Sequence, residues 1–255
     1  MEPTSSCGAC RDGEALGFDV SMAFQPIVEP RQRRVFAYEA LVRGLDGSGA
    51  AGVLEQLDTN NLYRFDQACR VKAVSLAARL GVDCRLSINF LPNAVYQAAT
   101  CLRATLATAK RVGFPTERLM FEFVENEQAR DRSHLASIVS EYRRHGFLTA
   151  LDDFGAGYSG LALLADIRPD WIKLDMALIR GIDQDPVRRC IVRHNLAMCE
   201  EMGVAVIAEG IETMGEWQAL QSLGVTLFQG YLFARPGFEC LPEVHWPEDE
   251  GPGAG

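Results

Sequence analysis

Long apolar runs are missing from this sequence of 255 residues, and no segment approaches the roughly 20 apolar residues of a membrane-spanning helix. The first residues, MEPTSSCGAC, contain no basic stretch followed by an apolar one, which argues against a secretory signal. We therefore expect a protein of the cytoplasm that does not associate with membranes.

Positive charge is also scarce, because 25 lysines and arginines stand against 34 aspartates and glutamates, for a formal net charge of −9. Such a balance argues against non-specific binding of DNA or RNA. It does not exclude an anionic small ligand, since a divalent metal ion can reverse the local sign of an acidic pocket.

The usual ligands of zinc are few or poorly spaced. The four histidines fall in predicted helices or in the C-terminal segment, and Cys7 and Cys10 form one C-x-x-C pair without a second pair at zinc-site spacing. We interpret this pair as incidental reduced thiols. A second half-site supplied by a partner chain stays open as an alternative.

Short β-like runs alternate with longer helical stretches along the chain. Helices are predicted at 65–80 and 133–146, and eight strands at 22–28, 35–42, 85–90, 119–124, 147–152, 171–175, 204–209 and 225–230. Eight strands with intervening helices favour a modified (β/α)8 barrel of the TIM type. Only EPRQRR joins the first two strands, too short for a crossover helix, so strand 1 is predicted to be antiparallel. A doubly wound open sheet is the alternative, but no G-x-G-x-x-G opens a helix here.

The two ends differ in composition from the middle of the chain. We expect residues 1–18 to form a flexible lead-in, residues 19–243 to form the barrel, and residues 244–255, which include PEDEGPGAG, to form a disordered tail.

Successive side chains of a strand point to opposite faces. Each predicted strand carries a polar residue on the face that is predicted to point into the barrel. In the second strand Glu39 shares a face with Arg43, whereas Phe36 and Tyr38 are predicted to point outward under the helices. The inward polar residues, most of them near the C-terminal strand ends where barrel active sites lie, are Gln25, Glu39, Asn89, Glu122, Asp152, Lys173, Glu209 and Gln229.

Four converging carboxylates repel one another unless cations compensate them. Carboxylate and amide oxygens are hard ligands that suit Mg²⁺ or Mn²⁺ rather than zinc, and oxygen-rich sites with two ions typically serve phosphate-ester chemistry. Lys173 and Arg43 are then the predicted cations for phosphate oxygens.

Seven ordered blocks between about residues 20 and 240 resemble the EAL-domain family of cyclic-di-GMP phosphodiesterases. The blocks are YEALVRG (38–44), INF (88–90), FEFVENE (121–127), LDDFGAGYSGLALL (151–164), WIKLD (171–175), VIAEGIET (206–213) and FQGYLFARP (228–236). The family fold, a modified (β/α)8 barrel with one antiparallel strand, agrees with the short first link.

The resemblance implies a role for each matching residue. One metal ion is expected on Glu39, Asn89, Glu122 and Asp152, and a second on Asp152, Asp153 and Glu209. Lys173, Glu209 and Glu39 are the implied catalytic residues, and family accounts differ on whether Glu209 or the metals chiefly activate the water. Gln25, Arg43, Gln229 and Glu212 are implied to contact the substrate, and Glu125 to stabilise the loop that follows Asp153.

The implied reaction is hydrolysis of cyclic-di-GMP to linear 5′-pGpG by two-metal activation of water, with Ca²⁺ as an inhibitor. A homodimer and a regulatory protein partner are also implied. Two alternatives remain: a non-catalytic EAL domain that binds the nucleotide or a protein, and an unrelated metal-dependent barrel lyase. The lyase explains the rim acids but not seven ordered blocks.

The chain departs from the common family pattern beside the first motif. Gly44 stands where tryptophan is usual, and the segment after it resembles the branch found beside BLUF domains. Val124 replaces the usual threonine, while Glu122 and Glu125 are both kept.

Overall fold

Nine strands form one sheet in the structure, which is a computed structural model and describes residues 16–95, 97–124, 132–157 and 160–247. The strands are β1 (Val20–Glu29), β2 (Arg34–Gly44), β3 (Arg85–Asn89), β4 (Leu119–Val124), β5 (Leu148–Phe154), β6 (Trp171–Leu174), β7 (Ala205–Ala208), β8 (Leu227–Phe228) and β9 (Gly237–Phe238). Their order, β2 through β8 and then β1, closes into a barrel because β1 also pairs with β2.

The first strand runs against all its neighbours. β1 is antiparallel to β2, β8 and β9, while β2 through β8 are mutually parallel. A single 3-10 turn, Pro30–Gln32, joins β1 to β2, and Arg33 closes it with a left-handed φ of 47°. The prediction of a (β/α)8-type barrel with strand 1 antiparallel is confirmed.

The outer layer consists of eight α-helices among the described residues. They are α1 (Ala50–Leu54), α2 (Leu62–Arg79), α3 (Ala98–Val112), α4 (Arg132–Arg144), α5 (Gly160–Ile167), α6 (Met176–Ile179), α7 (Pro186–Met202) and α8 (Met214–Ser222). Local chemistry explains the ends of α7: Asp185 accepts hydrogen bonds from the Val187 and Arg188 amides, Pro186 occupies the first turn, and Gly203 ends the helix at φ 69°. None of the described helices combines the length and the apolar character needed to cross a bilayer.

A β-bulge corrects one predicted orientation. Ile27 pairs with Ala37 and Val28 pairs with Val35, so Phe36 is left without a partner in the ladder. Phe36 therefore turns into the barrel with Ala37, where both are buried, instead of pointing outward as the strict alternation predicted. Its interior neighbours are Ile27, Met120, Ala150, Ile207 and Leu227.

The last strand, β9, was not predicted. It pairs with β1 through Ala23–Phe238 and Phe24–Gly237, next to the very short β8. Most of the predicted lead-in and tail, with Cys7 and Cys10, lies outside the described residues. The proposed boundaries at 18 and 244 therefore stay predictions, although Phe18 and Trp246 pack against the outer core.

Candidate active site

The polar residues predicted on the inward parity meet at one end of the barrel. Glu39 lies at the middle of β2, and the C-terminal halves of the next four parallel strands carry Asn89, Glu122, Asp152 and Lys173. Glu209 directly follows β7, Gln229 directly follows β8, and Gln25 lies opposite Glu39 on β1. The structure therefore brings together side chains from all eight barrel strands.

Lys173 is the centre of this group. Its Nζ lies 2.6 Å from Glu209 Oε1, 2.8 Å from Glu122 Oε2, 3.1 Å from Asp152 Oδ1 and 3.2 Å from Glu39 Oε2. The lysine side chain is only 1% exposed, so these contacts are shielded from solvent. One ammonium group thus faces four carboxylates.

Amide side chains orient the first of these carboxylates. Asn89 donates its Nδ2–H to Glu39 Oε1 at 2.9 Å, and Gln229 donates to Glu39 Oε2 at 2.8 Å. Gln229 Nε2 also lies 3.3 Å from Gln25 Oε1, and Gln25 donates to the Ala234 carbonyl at 3.2 Å. Glu39 is therefore held from both sides of the barrel.

A second anchor is Ser87, whose hydroxyl donates to Glu122 Oε1 inside the barrel. It lies two residues before Asn89 on the same face, and it is fully buried. Strand alternation puts Ser87 on the same inward face as Asn89, but no role was predicted for it. Its position two residues from a proposed ligand was the available signal.

The excess of negative charge alters the pKa values of the acids. Burial raises the pKa of Glu122 to about 8, with further contributions from Glu39 and Asp152 that the Lys173 ammonium only partly offsets. Burial likewise raises the pKa of Glu209 well above its usual value. Burial also acts on Glu39, but Lys173 and the hydrogen bonds from Gln229 and Asn89 outweigh it and lower its pKa.

Asp152 and Asp153 both reach the same cavity although they are consecutive in a strand. Neighbouring residues of a regular strand point to opposite faces. Here the ladder between β5 and β6 is irregular between Leu151 and Phe154, and Asp153 adopts a left-handed φ of 53°. Burial, with Asp152 and Asp175 nearby, raises the pKa of Asp153 to about 6.

The acids form two overlapping groups that fit divalent cations. Oxygen atoms of Glu39, Glu122 and Asp152 lie within 4.8 Å of one another, and so do oxygen atoms of Asp152, Asp153 and Glu209. Asp152 belongs to both groups. The donors are all hard oxygens, and their charge exceeds what Lys173 compensates, so the site fits Mg²⁺ or Mn²⁺.

A cavity of about 300 Å³ opens above these groups. Its floor is acidic, while Met176 and Tyr231, which are 45% and 49% exposed, contribute apolar wall. Met176, Tyr231 and Asp175 were not predicted as site residues. Asp175 and Tyr231 are the last residues of WIKLD and FQGY, and Met176 follows Asp175. All three lie within three residues of the end of β6 or β8, and this position was the signal for them.

Two predicted residues, Arg43 and Glu212, do not contact Lys173 in the described part of the chain. Arg43 lies at the end of β2, where its guanidinium donates to the Val42 carbonyl, and it is not among the described residues that line the cavity. Glu212 lines the cavity edge and accepts a hydrogen bond from Arg180 at 2.8 Å. Glu125 lies outside the described residues.

The sequence and the fold are both similar to those of known proteins. A family profile described as "EAL domain" matches residues 14–236. The blue light- and temperature-regulated antirepressor BluF of Escherichia coli is 32% identical over 89% of this chain and 56% of its own length. The probable cyclic di-GMP phosphodiesterase PdeG of E. coli is 27% identical over 89% of this chain and 46% of its own length. The chain thus spans about half the length of these relatives.

Two solved structures have the same architecture. A standalone versatile EAL protein from Vibrio cholerae O395, in its c-di-GMP-bound form, is 51% identical, with a TM-score of 0.87 over 89% of this chain and 96% of that chain. BlrP1 of Klebsiella pneumoniae, in a manganese and cyclic-diGMP complex, is 36% identical, with a TM-score of 0.84 over 89% of this chain and 58% of that chain.

Proposed function

The chain belongs to the EAL domain family, and we propose that it is a phosphodiesterase that hydrolyses cyclic-di-GMP to linear 5′-pGpG. One observation carries the proposal: two groups of carboxylates share Asp152 around a buried lysine at the active end of the barrel. The phosphodiesterase name of PdeG and the cyclic-di-GMP complexes of the two solved structures support the choice of substrate.

The residues present can hold two divalent cations. Glu39, Asn89, Glu122 and Asp152 are proposed to bind one ion, and Asp152, Asp153 and Glu209 the other. Asn89 uses its Nδ2 for Glu39, which leaves its carbonyl oxygen as a ligand. When bound, Mg²⁺ or Mn²⁺ supplies Lewis-acid chemistry that lowers the pKa of water and offsets phosphoryl charge. The manganese complex of BlrP1 supports this choice of ions.

Lys173 and Glu209 are the proposed catalytic side chains. Lys173 keeps its charge, because the surrounding carboxylates raise its pKa well above its usual value despite burial. Its ammonium can thus offset the charge that develops on the phosphoryl oxygens. With ions bound, Glu209, which lines the cavity beside Lys173, would take the proton of the attacking water as the P–O bond to water forms. The bond to the 3′ oxygen then breaks, and that oxygen leaves as a hydroxyl with a proton from solvent water.

Substrate contacts are proposed at the cavity wall. Gln25 and Gln229 face the cavity beside Glu39, and Glu212 lies at its edge. Arg43 is proposed to reach phosphate from the end of β2. This movement requires its guanidinium to leave the Val42 carbonyl. Glu125 is retained as the predicted stabiliser of the loop after Asp153.

The function is tested by incubating purified protein with cyclic-di-GMP and Mg²⁺ or Mn²⁺ and separating the products by chromatography. We expect 5′-pGpG, and we expect none when EDTA is present. Nucleotide binding by calorimetry with no turnover under any of these conditions would contradict the enzyme and favour the receptor.

The receptor is kept as a second candidate because BluF is named an antirepressor, and that name describes regulation rather than hydrolysis. All the proposed metal ligands and Lys173 are present here, which favours the enzyme.

A homodimer, a regulatory protein partner and a cytoplasmic location complete the proposal. Leu161, Val187 and Ile191 expose 62%, 64% and 43% of their surfaces, and Leu161 and Ile191 line one groove next to β5. Such exposed apolar side chains suit an interface between two copies. Sedimentation of wild type and Ile191→Glu tests this, with a monomer expected for the variant only. Equal masses would contradict an interface at this groove.

A further inference from the structure

A buried ion pair lies outside the barrel, on the inner face of α2. Arg70 Nη2 is 2.8 Å from Asp66 Oδ2, and the Arg70 and Asp66 residues are 0% and 2% exposed. Arg70 also donates from Nη1 to the Tyr142 hydroxyl of α4 at 2.7 Å. Its guanidinium carbon lies 5.4 Å from the ring centres of both Phe90 and Phe121.

This cluster contacts residues that lie next to two proposed metal ligands, Asn89 and Glu122, in the chain. The other oxygen of Asp66, Oδ1, accepts a hydrogen bond from the Leu91 amide at 3.0 Å, two residues after Asn89. Phe90 lies between them, and its amide donates to the Glu122 carbonyl at 2.9 Å. Phe121, the other ring over Arg70, directly precedes Glu122. Asp66 therefore binds the chain just beyond the end of β3, and Arg70 packs over a ring in the middle of β4.

Stability alone does not explain such a pair. Taking two charges out of water is costly, and well-packed apolar residues of similar volume often serve as well or better. A carboxylate does, however, bind a backbone N–H more strongly than a neutral acceptor does. The feature that apolar residues cannot replace is the fixed acceptor for the Leu91 amide.

We propose that Asp66, oriented by Arg70, is a positioning residue that holds Asn89 in place for metal binding through the Leu91 backbone. The inference rests on the proposed function, because it assumes that Asn89 is a ligand. Partners that orient metal ligands typically contribute 10–100-fold to metal affinity. We expect loss of the acceptor at Asp66 to weaken metal affinity by a factor in this range, although Asp66 lies outside the barrel.

Two double variants separate positioning from stability. Asp66→Leu/Arg70→Met replaces the pair with apolar residues and removes the acceptor, whereas Asp66→Asn/Arg70→Met removes both charges but keeps an oxygen for Leu91. Calorimetry with Mn²⁺ alone measures affinity, and thermal unfolding measures stability. We expect at least about tenfold weaker Mn²⁺ binding in the first variant and recovery to within about threefold of wild type in the second.

Asp170→Leu is the matched control. Asp170 also accepts from a strand amide, that of Thr149 at 2.8 Å, but at the start of β5 rather than beyond a C-terminal strand end. We expect it to lower the unfolding temperature and leave Mn²⁺ affinity unchanged. Equal weakening of Mn²⁺ binding by this control would overturn the inference.

The outcomes also distinguish the inference from the proposed function. If wild type binds no Mn²⁺, both fail; if wild type binds Mn²⁺ and folded Asp66→Leu/Arg70→Met binds it equally, only the inference fails. Should that variant not fold, Asp66→Ala/Arg70→Met decides, because it also removes the acceptor without leaving an unpaired charge. Faster hydrogen exchange of the Leu91 amide is then expected together with weaker Mn²⁺ binding, and faster exchange with unchanged affinity would overturn the inference.

Discussion

Four carboxylates surround one lysine at the barrel rim, so their negative charge is far from balanced. Each of Glu39, Glu122, Asp152 and Glu209 lies within 3.2 Å of Lys173 Nζ, and Asp153 adds a fifth acid to the same cavity. A buried group of this kind is tolerated when cations bind or when some acids keep their protons. The raised pKa values of Glu122 and Glu209 favour retained protons on these two acids whenever no cation is bound.

Replacing Glu39 separates catalysis from folding. Glu39→Ala removes a proposed ligand, so turnover of cyclic-di-GMP should fall at least about 100-fold. The same change relieves repulsion at Glu122, where Glu39 is the second cause of the raised pKa, so the metal-free variant should remain folded. Product chromatography and thermal unfolding check the two effects. Exposed Glu117→Ala is the control, and a near-normal rate in Glu39→Ala would refute the ligand assignment.

The raised pKa of Glu122 predicts how metal-free protein responds to pH. The folded protein holds this proton up to about pH 8, whereas the ordinary value is 4.5. The stabilisation is therefore complete below about pH 4.5 and is lost as the pH rises through about 8. Asp153, raised to about 6, acts in the same direction over a lower range.

Denaturation in EDTA should therefore show a lower free energy of unfolding at pH 8.5 than at pH 6. Glu122→Gln should flatten this dependence, because it removes the carboxyl that titrates, while Glu117→Gln should not. A wild-type free energy of unfolding that rises from pH 6 to pH 8.5 would contradict the raised pKa.

Alternation along strands predicted most of the candidate centre but not all of it. Glu39, Asn89, Glu122, Asp152 and Lys173 follow the regular period of two, so their common direction could be derived from sequence. Asp153 violates this period, and it reaches the cavity through a left-handed φ and a ladder irregularity. Neither of these has a signature in a single sequence, and only the family resemblance predicted its role.

At the scale of elements, β9 extends the sheet beside β1 where the two-residue β8 does not reach. β8 has two residues, and β9 pairs with β1 beside it, close to where Gln25 binds the Ala234 carbonyl. A two-residue strand gives no periodic pattern, so β9 could not be predicted. The bulge at Phe36 could not be predicted either. One extra residue in a strand reverses which side chains face inward without changing the kinds of residue in the sequence.

Gly230 is the point where two rim segments come closest. A Cβ at this position would lie 2.1 Å from the Ile211 carbonyl oxygen and 2.3 Å from its nitrogen, and backbone cannot yield as a side-chain end does. The Ile211 amide also donates to the Gln229 carbonyl at 3.1 Å. The loop after Glu209 must therefore move if Gly230 gains a side chain.

We expect Gly230→Ala to lower the free energy of unfolding by at least about 1–3 kcal/mol and to reduce turnover, because Gln229 and Glu209 flank the contact. Gly52→Ala in α1 is the control, since a Cβ there meets nothing within 4 Å. It should be neutral or slightly stabilising, by up to about 1 kcal/mol. Chemical denaturation and the hydrolysis assay measure both variants, and equal behaviour would refute the close approach.

At the scale of the whole molecule, the barrel follows from two coarse features of the sequence. Eight strand-like runs separated by helices predicted the closed sheet, and a link of six residues predicted the antiparallel first strand. Both rest on chain length and connectivity rather than on the orientation of any one side chain. The boundaries are less exact, since α2 begins at Leu62 and β5 continues to Phe154.

Because the proposed metal ligands lie on or directly after most strands of the barrel, metal binding should stabilise the whole fold. An ion at 100 times its dissociation constant contributes about 2.7 kcal/mol of stability. For a domain near this size, each kcal/mol raises the unfolding temperature by about 2–4 °C, so Mn²⁺ should raise it by about 5–10 °C. Glu39→Ala should show a smaller rise, and Glu117→Ala the full one.

Calcium separates binding from catalysis in the same experiment. Ca²⁺ also prefers carboxylate oxygens, so it should raise the unfolding temperature of the protein. Its larger size and looser coordination fit poorly where near-octahedral Mg²⁺ is required, so turnover with Ca²⁺ alone should be absent, and Ca²⁺ should inhibit the Mg²⁺-supported rate. Thermal scans and the hydrolysis assay on one preparation test both statements. Substantial turnover with Ca²⁺ would contradict the proposed geometry, and no shift with any divalent ion would contradict the metal centre itself.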